Sequence, residues 1–553
     1  MISKASEIYH RQMCPNTTNH RIAYPDAGNQ DISHHKGFFI VISILFLMIS
    51  YTPYHYWDEF YYIYTLNYHS LTETLIREND LSAGLFPKGF FSSKIASMVI
   101  IWLFTALFGA GWLSLYILQF TFALFLIGFF LVSYKFYGEL SEDFIDSKVA
   151  LTTSTVVLFL PVTMYLGFKT LTEVPALFFT TFGLWMFLRS IRETAPLKIG
   201  ILLALAFAGI VLGALCRYLF LAGFIGLVLS YGIIYRQHYL LRAMLKRAAI
   251  LFAGLIVPAI FVFYLKGEHL IQSVGLLKFN IINLKSDDSG VKIYVFMMYF
   301  QAFLILLPFS FLFEWTKTFK LSLCWLCITV VPLFVAASYL ETRFFSIGLL
   351  PTAIIINQGL QNVMKSLRVH KRIFAVILLM SIVILNRVVF TPISLYDIDQ
   401  EKLKKIVSDI YKYEPQATLI LPWVTEYCLL RFAYPDKQIR CSITTLPGTE
   451  NHSFIQTDSF KWWIGGNAHV SMPEELMKES KPWIYVGRSF SPAREKLYEY
   501  VSALRMGSLM QRRGGSDQLS LSWIWDNEEL KLDLFQRQGP YNAYRIEFLG
   551  DTL

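Results

Sequence analysis

Apolar runs of roughly 17–25 residues recur from residue 38 to about residue 386, and no other feature narrows the folds open to this chain as far. A helical run of that length crosses the hydrocarbon core of a bilayer, where only helices and closed barrels satisfy every backbone polar group. Charged residues make up only 16% of the chain, against about 25% in soluble domains, so the background composition agrees with the runs. Beyond residue 391, charges, prolines and short alternating segments take over and no spanning run follows. Three regions are therefore expected. These are a cytoplasmic N-terminal segment, 1–36, a transmembrane module, 37–390, and an extracytoplasmic α/β domain, 391–553, long enough for its own core.

The predicted spans are 37–52, 113–134, 148–166, 174–190, 199–216, 219–235, 248–265, 293–312, 321–340, 345–360 and 373–390, about eleven in all. Basic clusters follow several of them: Arg189/Arg192/Lys198, Arg236/Arg242/Lys246/Arg247, Lys317/Lys320 and Lys365/Arg368/Lys371/Arg372. With a cytoplasmic N-terminus all four lie inside, as the positive-inside rule requires. The acidic loop at 134–148 neither supports nor forbids this. The segment 94–108 holds about 14 apolar residues before Gly109-Ala110-Gly111, short for a span, and is expected to be re-entrant or interfacial within the first outer loop. The tail then lies outside. Were 94–108 to cross, the tail would move inside and the basic clusters would be misplaced.

The net charge of +9 lies mainly at the ends of apolar runs, where it orients helices, which argues against a nucleic-acid partner. The polar first 35 residues lack the apolar core and small-residue cleavage site of a signal peptide and are expected to be disordered or peripheral. Cys324 and Cys327 have zinc-like spacing inside an apolar span but no second pair, so they are expected to pack rather than bind metal. Cys428 and Cys441 lie in the tail and have a route to a disulfide if it is extracytoplasmic.

No Asp, Glu, Lys or His stands at the centre of a predicted span; Gln119, Gln301 and Asn357 are the most polar members. Ion-coupled transport needs titratable groups at that depth, so it is disfavoured, while a lipid-linked-sugar flippase working at the membrane edge stays open. The charges gather at the outer helix ends instead. They include Asp58-Glu59 within an aromatic stretch from Tyr54 to Tyr62, Lys169 and Glu173 between the third and fourth spans, Arg217 in a short turn, and Glu341 with Arg343 before the tenth span. Each alone has an ordinary reading. Aromatics form interfacial belts, Glu173 before Pro175 resembles a helix start, and basic side chains snorkel. Their convergence on one face gives them joint meaning.

Carboxylates and cations at one leaflet suit transfer of a sugar from a polyprenyl phosphate. One carboxylate takes the acceptor proton and cations neutralise the departing phosphate; an inverting displacement needs a single base. Asp58 or Glu59 would be that base, with Asp58 narrowly ahead. Lys169, Arg217 and Arg343 would hold phosphate, and Trp57, Tyr61 and Tyr62 would stack on sugar or line a lipid groove. A divalent cation, Mg or Mn, is a second use for the acids, with Asp58 and Glu173 as its ligands. Adjacent helical residues point about 100° apart, so Asp58 and Glu59 are poor joint ligands.

This pattern resembles the GT-C superfamily of polytopic glycosyltransferases, especially the protein O-mannosyltransferase and aminoarabinose-transferase-like branch. The resemblance rests on Asp58-Glu59 after the first span, Phe86-Pro87-Lys88-Gly89 before an amphipathic segment ending Leu107-Phe108-Gly109, Glu173 in the second outer loop, and Glu341-Thr342-Arg343-Phe344 followed by Leu350-Pro351. It covers about residues 38–390, and the order of the motifs carries it more than any one of them. It implies a first-loop acid as base, a polyprenyl- or dolichyl-phosphate sugar as donor, 94–108 as a juxtamembrane helix, and substrate-binding roles for Glu173 and Lys88. The family's usual double proline is here Pro87-Lys88. Lys461-Trp462-Trp463-Ile464 lacks the Asp of an oligosaccharyltransferase signature, so that branch is disfavoured and the acceptor, whether glycan, lipid or protein, stays open. A multi-pass protein of a bacterial inner membrane is implied, or of the endoplasmic reticulum if the source is eukaryotic. A non-catalytic scaffold presenting the tail is the remaining alternative.

In the tail, 418–422 and 483–486 predict buried strands, 494–504 an amphipathic helix, 512–515 a turn and 544–549 a closing strand. His452 and His469 have no nucleophile at a recognisable spacing. Asn451-His452-Ser453 is a sequon of the kind that arises often by chance.

Overall fold

The computed structural model describes residues 35–52, 54–55, 57–76, 91, 94–140, 147–235, 241–256, 299–312, 315–336, 342–366, 380–381, 384, 398–421, 424–441, 482–488 and 530–548. Residues 1–34 of the predicted N-terminal segment, the second half of the seventh span, the start of the eighth, most of the eleventh, Lys88, Glu341, the 494–504 helix, the 512–515 turn and the sequon lie outside these residues.

The described membrane module is helical. Its elements include α1 (Lys36–Ser50), α2 (Trp57–Tyr68), α3 (Ile95–Phe108), α4 (Trp112–Leu140), α5 (Ser147–Phe159), α6 (Pro161–Leu166), α7 (Glu173–Arg192), α8 (Pro196–Cys216), α9 (Leu221–Ile234), α10 (Lys317–Thr329) and α11 (Leu349–Ser366), besides shorter helices. Among the described residues three of these, α4, α7 and α8, are long and apolar enough to cross a membrane. On α8, Leu197, Ile201, Leu205 and Leu212 stand exposed along one face, as do Ile40, Val41, Ile44 and Met48 on α1. Such stripes would be a liability in water and are the expected finish for a surface facing lipid.

The 14 residues of α3 rise about 21 Å, less than a hydrocarbon core. The helix stops at Gly109, whose φ of 70° suits a residue without a Cβ. The predicted span 148–166 is broken. α5 ends at Phe159, and α6 starts at Pro161, which sits at the first helical position where its missing N–H costs nothing. The proline was the signal for that break.

The central helix is α7, largely buried between α4 and α8. Its close approach to α8 depends on glycine. A Cβ at Gly183 would lie 2.7 Å from the Ile210 backbone nitrogen, one at Gly209 2.7 Å from the Gly183 nitrogen, and one at Gly213 would strike Thr180. Gly209 and Gly213 are four apart, the spacing that lets membrane helices meet backbone to backbone. The obstacles at Gly183 and Gly209 are main chain, which cannot swing aside. Gly209→Leu is therefore expected to destabilise the bundle by roughly 1–3 kcal/mol or more, read as a lower melting temperature in detergent, whereas Gly200→Leu, with open space around it, should leave the melt unchanged.

The tail builds a five-stranded mixed sheet. Two strands lead into it: β1 (Tyr54–His55), between α1 and α2, and β2 (Ile398–Asp399) form a separate antiparallel pair, Tyr54 opposite Asp399 and His55 opposite Ile398. The sheet itself comprises β3 (Thr418–Leu421), β4 (Ile439–Cys441), β5 (Trp483–Arg488), β6 (Leu530–Gln538) and β7 (Tyr541–Phe548), in the order β4-β3-β5-β7-β6. β3 runs parallel to β4 and β5, and β7 runs antiparallel to β5 and β6. Helix α12 (Gln400–Tyr413) buries Leu403, Ile406, Val407, Ile410 and Tyr411, the three-and-four spacing of one helical face. Asp399 caps it by accepting from the Lys402 amide. Helix α13 (Val424–Ala433) crosses between β3 and β4 and packs against α2. The predicted strands at 418–422, 483–486 and 544–549 correspond to β3, β5 and β7; β4 and β6 were not predicted.

Candidate functional site

The acids do not lie in an open loop. Asp58 and Glu59 occupy the first turn of α2, where negative charge complements the helix dipole. The helix is held from two sides. Tyr61, Tyr64 and Tyr68 recur at three and four residues and face the tail. Tyr61 OH pairs with Thr425 Oγ1 at 3.3 Å, Tyr64 OH with Tyr427 OH at 3.5 Å, and Tyr68 OH donates to the Arg431 carbonyl at 2.8 Å. On the other side, Lys94 Nζ donates to Tyr62 OH at 2.8 Å from the start of α3. Tyr61 and Tyr62, expected to stack on sugar or line a lipid groove, thus use their hydroxyls in contacts to the tail and to α3.

Glu59 is buried. Its Oε2 accepts from the Thr170 amide at 2.6 Å and the Thr170 hydroxyl at 2.9 Å, and His55 Nδ1 lies 3.4 Å away. Burial opposes its ionisation, but His55, then Lys169 and the Thr170 amide outweigh it and hold the carboxyl below its ordinary range. A carboxyl with a depressed folded value contributes stability that is complete above its unfolded value, 4.5, and lost as pH falls through the folded one. Acid unfolding below pH about 4.5, followed by tryptophan fluorescence in detergent, should accordingly be less steep in Glu59→Gln than in the native protein. Lys169 is also buried, its Nζ 3.8 Å from the centre of the Tyr165 ring, a cation–π contact.

Glu173 opens α7 and is buried in a cationic cluster. Arg217 Nη1 lies 2.8 Å from its Oε1 and Arg343 Nε 3.7 Å from the same oxygen. The first is an ion contact rather than an aligned hydrogen bond, since that oxygen receives no well-directed N–H. Thr172 Oγ1 bonds Glu173 Oε2 at 3.3 Å and accepts from Arg217 at 3.4 Å. Lys94 adds its field at the same carboxylate. Among the described residues two guanidiniums meet at this one carboxylate, a chemistry that suits an anion such as phosphate. Among the described residues no three His, Cys, Asp or Glu side chains gather into a metal-sized group.

Of the residues singled out in the sequence, Glu59 and Lys169 meet around Thr170, and Glu173, Arg217 and Arg343 meet one turn along the same loop. Lys94, His55 and Thr170 were not singled out. Lys94 had a signal, being the basic residue at the head of a 14-residue apolar helix. Thr170 had none, because its role is a partner 111 residues away.

The described residues thus form a helical membrane module whose acid-bearing helix α2 packs against a small α/β tail, the architecture of a polytopic membrane protein. ArnT from Cupriavidus metallidurans in the apo state is similar to it, with a TM-score of 0.51 over 93% of this chain and 98% of that one at 13% identity. The same protein bound to undecaprenyl phosphate gives 0.50 over the same shares at 12% identity. An Archaeoglobus fulgidus oligosaccharyltransferase tethered with an acceptor peptide matches at 0.42, over 82% of this chain and 69% of that one, at 11% identity. Identities this low are a likeness of fold. No family model and no curated protein matches the sequence.

Proposed function

We propose that this protein is a membrane glycosyltransferase that moves a sugar from a polyprenyl- or dolichyl-phosphate donor to an acceptor hydroxyl at the extracytoplasmic face. The observation that carries the reading is the buried Glu173–Arg217–Arg343 cluster, with Lys94 nearby, next to the helix that bears Asp58. The fold it shares with ArnT, whose structure holds undecaprenyl phosphate, supports the donor class. Asp58 takes the proton of the acceptor hydroxyl as its oxygen bonds to the anomeric carbon. The bond from that carbon to the phosphate oxygen breaks with its electron pair leaving on the phosphate. Arg217, Arg343 and Lys94 stabilise the charge that develops there, and Glu173 offsets the repulsion between the two guanidiniums and orients them. A single displacement inverts the anomeric centre.

The test is transfer by the purified protein in proteoliposomes from synthetic polyprenyl-phosphate sugars to membrane-derived acceptors, with the anomeric configuration of the product read by NMR. Inverted product that depends on the lipid phosphate supports the reading. Transfer from soluble nucleotide sugars with none from lipid-linked ones would overturn it.

A further inference from the structure

A line of buried polar side chains runs behind Glu59. His55 Nδ1 lies 3.4 Å from Glu59 Oε2 and 3.4 Å from Gln119 Nε2 on α4. Gln119 in turn forms a reciprocal amide pair with Gln400, the first residue of α12, at 2.8 and 3.5 Å. All of these side chains are buried. His55 belongs to β1, which is paired with β2 at the entry to the tail. Nδ1 donates to Glu59 when it carries the proton and accepts from Gln119 when it does not. Facing an ionised carboxylate, the donating form is favoured. A second seam supports the first: Tyr116 OH donates to Glu401 at 2.7 Å and Lys404 donates to Tyr116 at 3.1 Å.

We infer that His55, backed by Gln119 and Gln400, is a positioning residue that holds Glu59 as the latch on the loop carrying Lys169 and Thr170 and leading into Glu173, and so ties the soluble tail to the site. The inference rests on the transferase reading for its kinetic consequence and on geometry alone for its structural one. Glu59 is thereby a loop anchor rather than the base. Its oxygen already accepts two donors from Thr170, and what it fixes is the register of Glu173 and Arg217 relative to α2.

The test compares His55→Asn, whose amide keeps a donor near the Nδ1 position, with His55→Leu, which removes it. His55→Leu is expected to lower kcat about 10- to 100-fold with the donor KM within about 2-fold, because a misplaced loop spoils alignment more than binding. His55→Asn should restore most of the rate. Hydrogen exchange in the peptide spanning 167–173 should rise in His55→Leu and stay near native in His55→Asn. Should His55→Leu fail to fold, Gln119→Leu, one side chain further from Glu59, carries the same comparison with a smaller loss. Unchanged exchange in His55→Leu, equal losses in both His55 variants, or a change confined to KM would overturn the latch. If the native protein transfers no sugar, the transferase reading falls and the exchange result alone decides the latch.

Discussion

Asp58→Asn is expected to lower the rate of sugar transfer about 10²- to 10⁴-fold, the usual worth of a general base, while the protein still reaches the membrane folded. The neighbouring pair Asp58-Glu59 offers two acids for one task, and the contacts of Glu59 argue against it as the base. Glu59 is buried, held below its ordinary range, and accepts from both donors of Thr170. A carboxylate so stabilised is a weak base, and protonating it would break the contact with the 169–172 loop. In the proposed reaction the proton-accepting role is therefore assigned to Asp58, in the first turn of α2. Initial rates with saturating lipid-linked donor, normalised to folded protein by size-exclusion chromatography, distinguish the two. Native activity in Asp58→Asn, with near-complete loss in Glu59→Gln, would exchange their roles.

The membrane character of the chain was legible because it depends on composition and run length alone, which need no partner. α4, α7 and α8 fall where the apolar runs predicted spans, and the acids and arginines at the helix ends were recognisable as charges out of place. The pairings were less accessible. Tyr61, Tyr64 and Tyr68 look in sequence like an interfacial belt, yet their hydroxyls meet residues some 363 positions away, a contact local pattern cannot express. Gln119 stood out as a polar residue in a span, but its purpose lies in Gln400, at the start of another domain. β6 was missed although Leu530, Leu532 and Leu534 alternate with Lys531 and Asp533, because Phe535 breaks the alternation where the register shifts between Leu534 and Gln536. β4 has only three residues, too few for any period to show.

The cation cluster carries the second large effect. Arg217 and Arg343 both bear on Glu173, so each guanidinium is oriented before a substrate arrives and loses little freedom on binding one. A charge-assisted contact to a phosphate oxygen in such a site is worth about 1.5–3 kcal/mol, so Arg217→Met should weaken binding of polyprenyl phosphate roughly 10- to 100-fold, with Arg343→Met similar. Arg217→Lys tests whether charge alone suffices. Lysine keeps the cation but not the planar fork that can reach Glu173 and phosphate together, and it should recover only part of the loss. Glu173→Gln separates a structural from an electrostatic account. It leaves the buried Arg343 guanidinium and the partly exposed Arg217 guanidinium without this carboxylate, which should cost roughly 3–5 kcal/mol of stability, while any folded fraction binds the lipid phosphate at least as well. Tight binding in Arg217→Met, measured by scintillation proximity with labelled polyprenyl phosphate in detergent, would show that the phosphate rests elsewhere and that the cluster only fastens α7 to its neighbours.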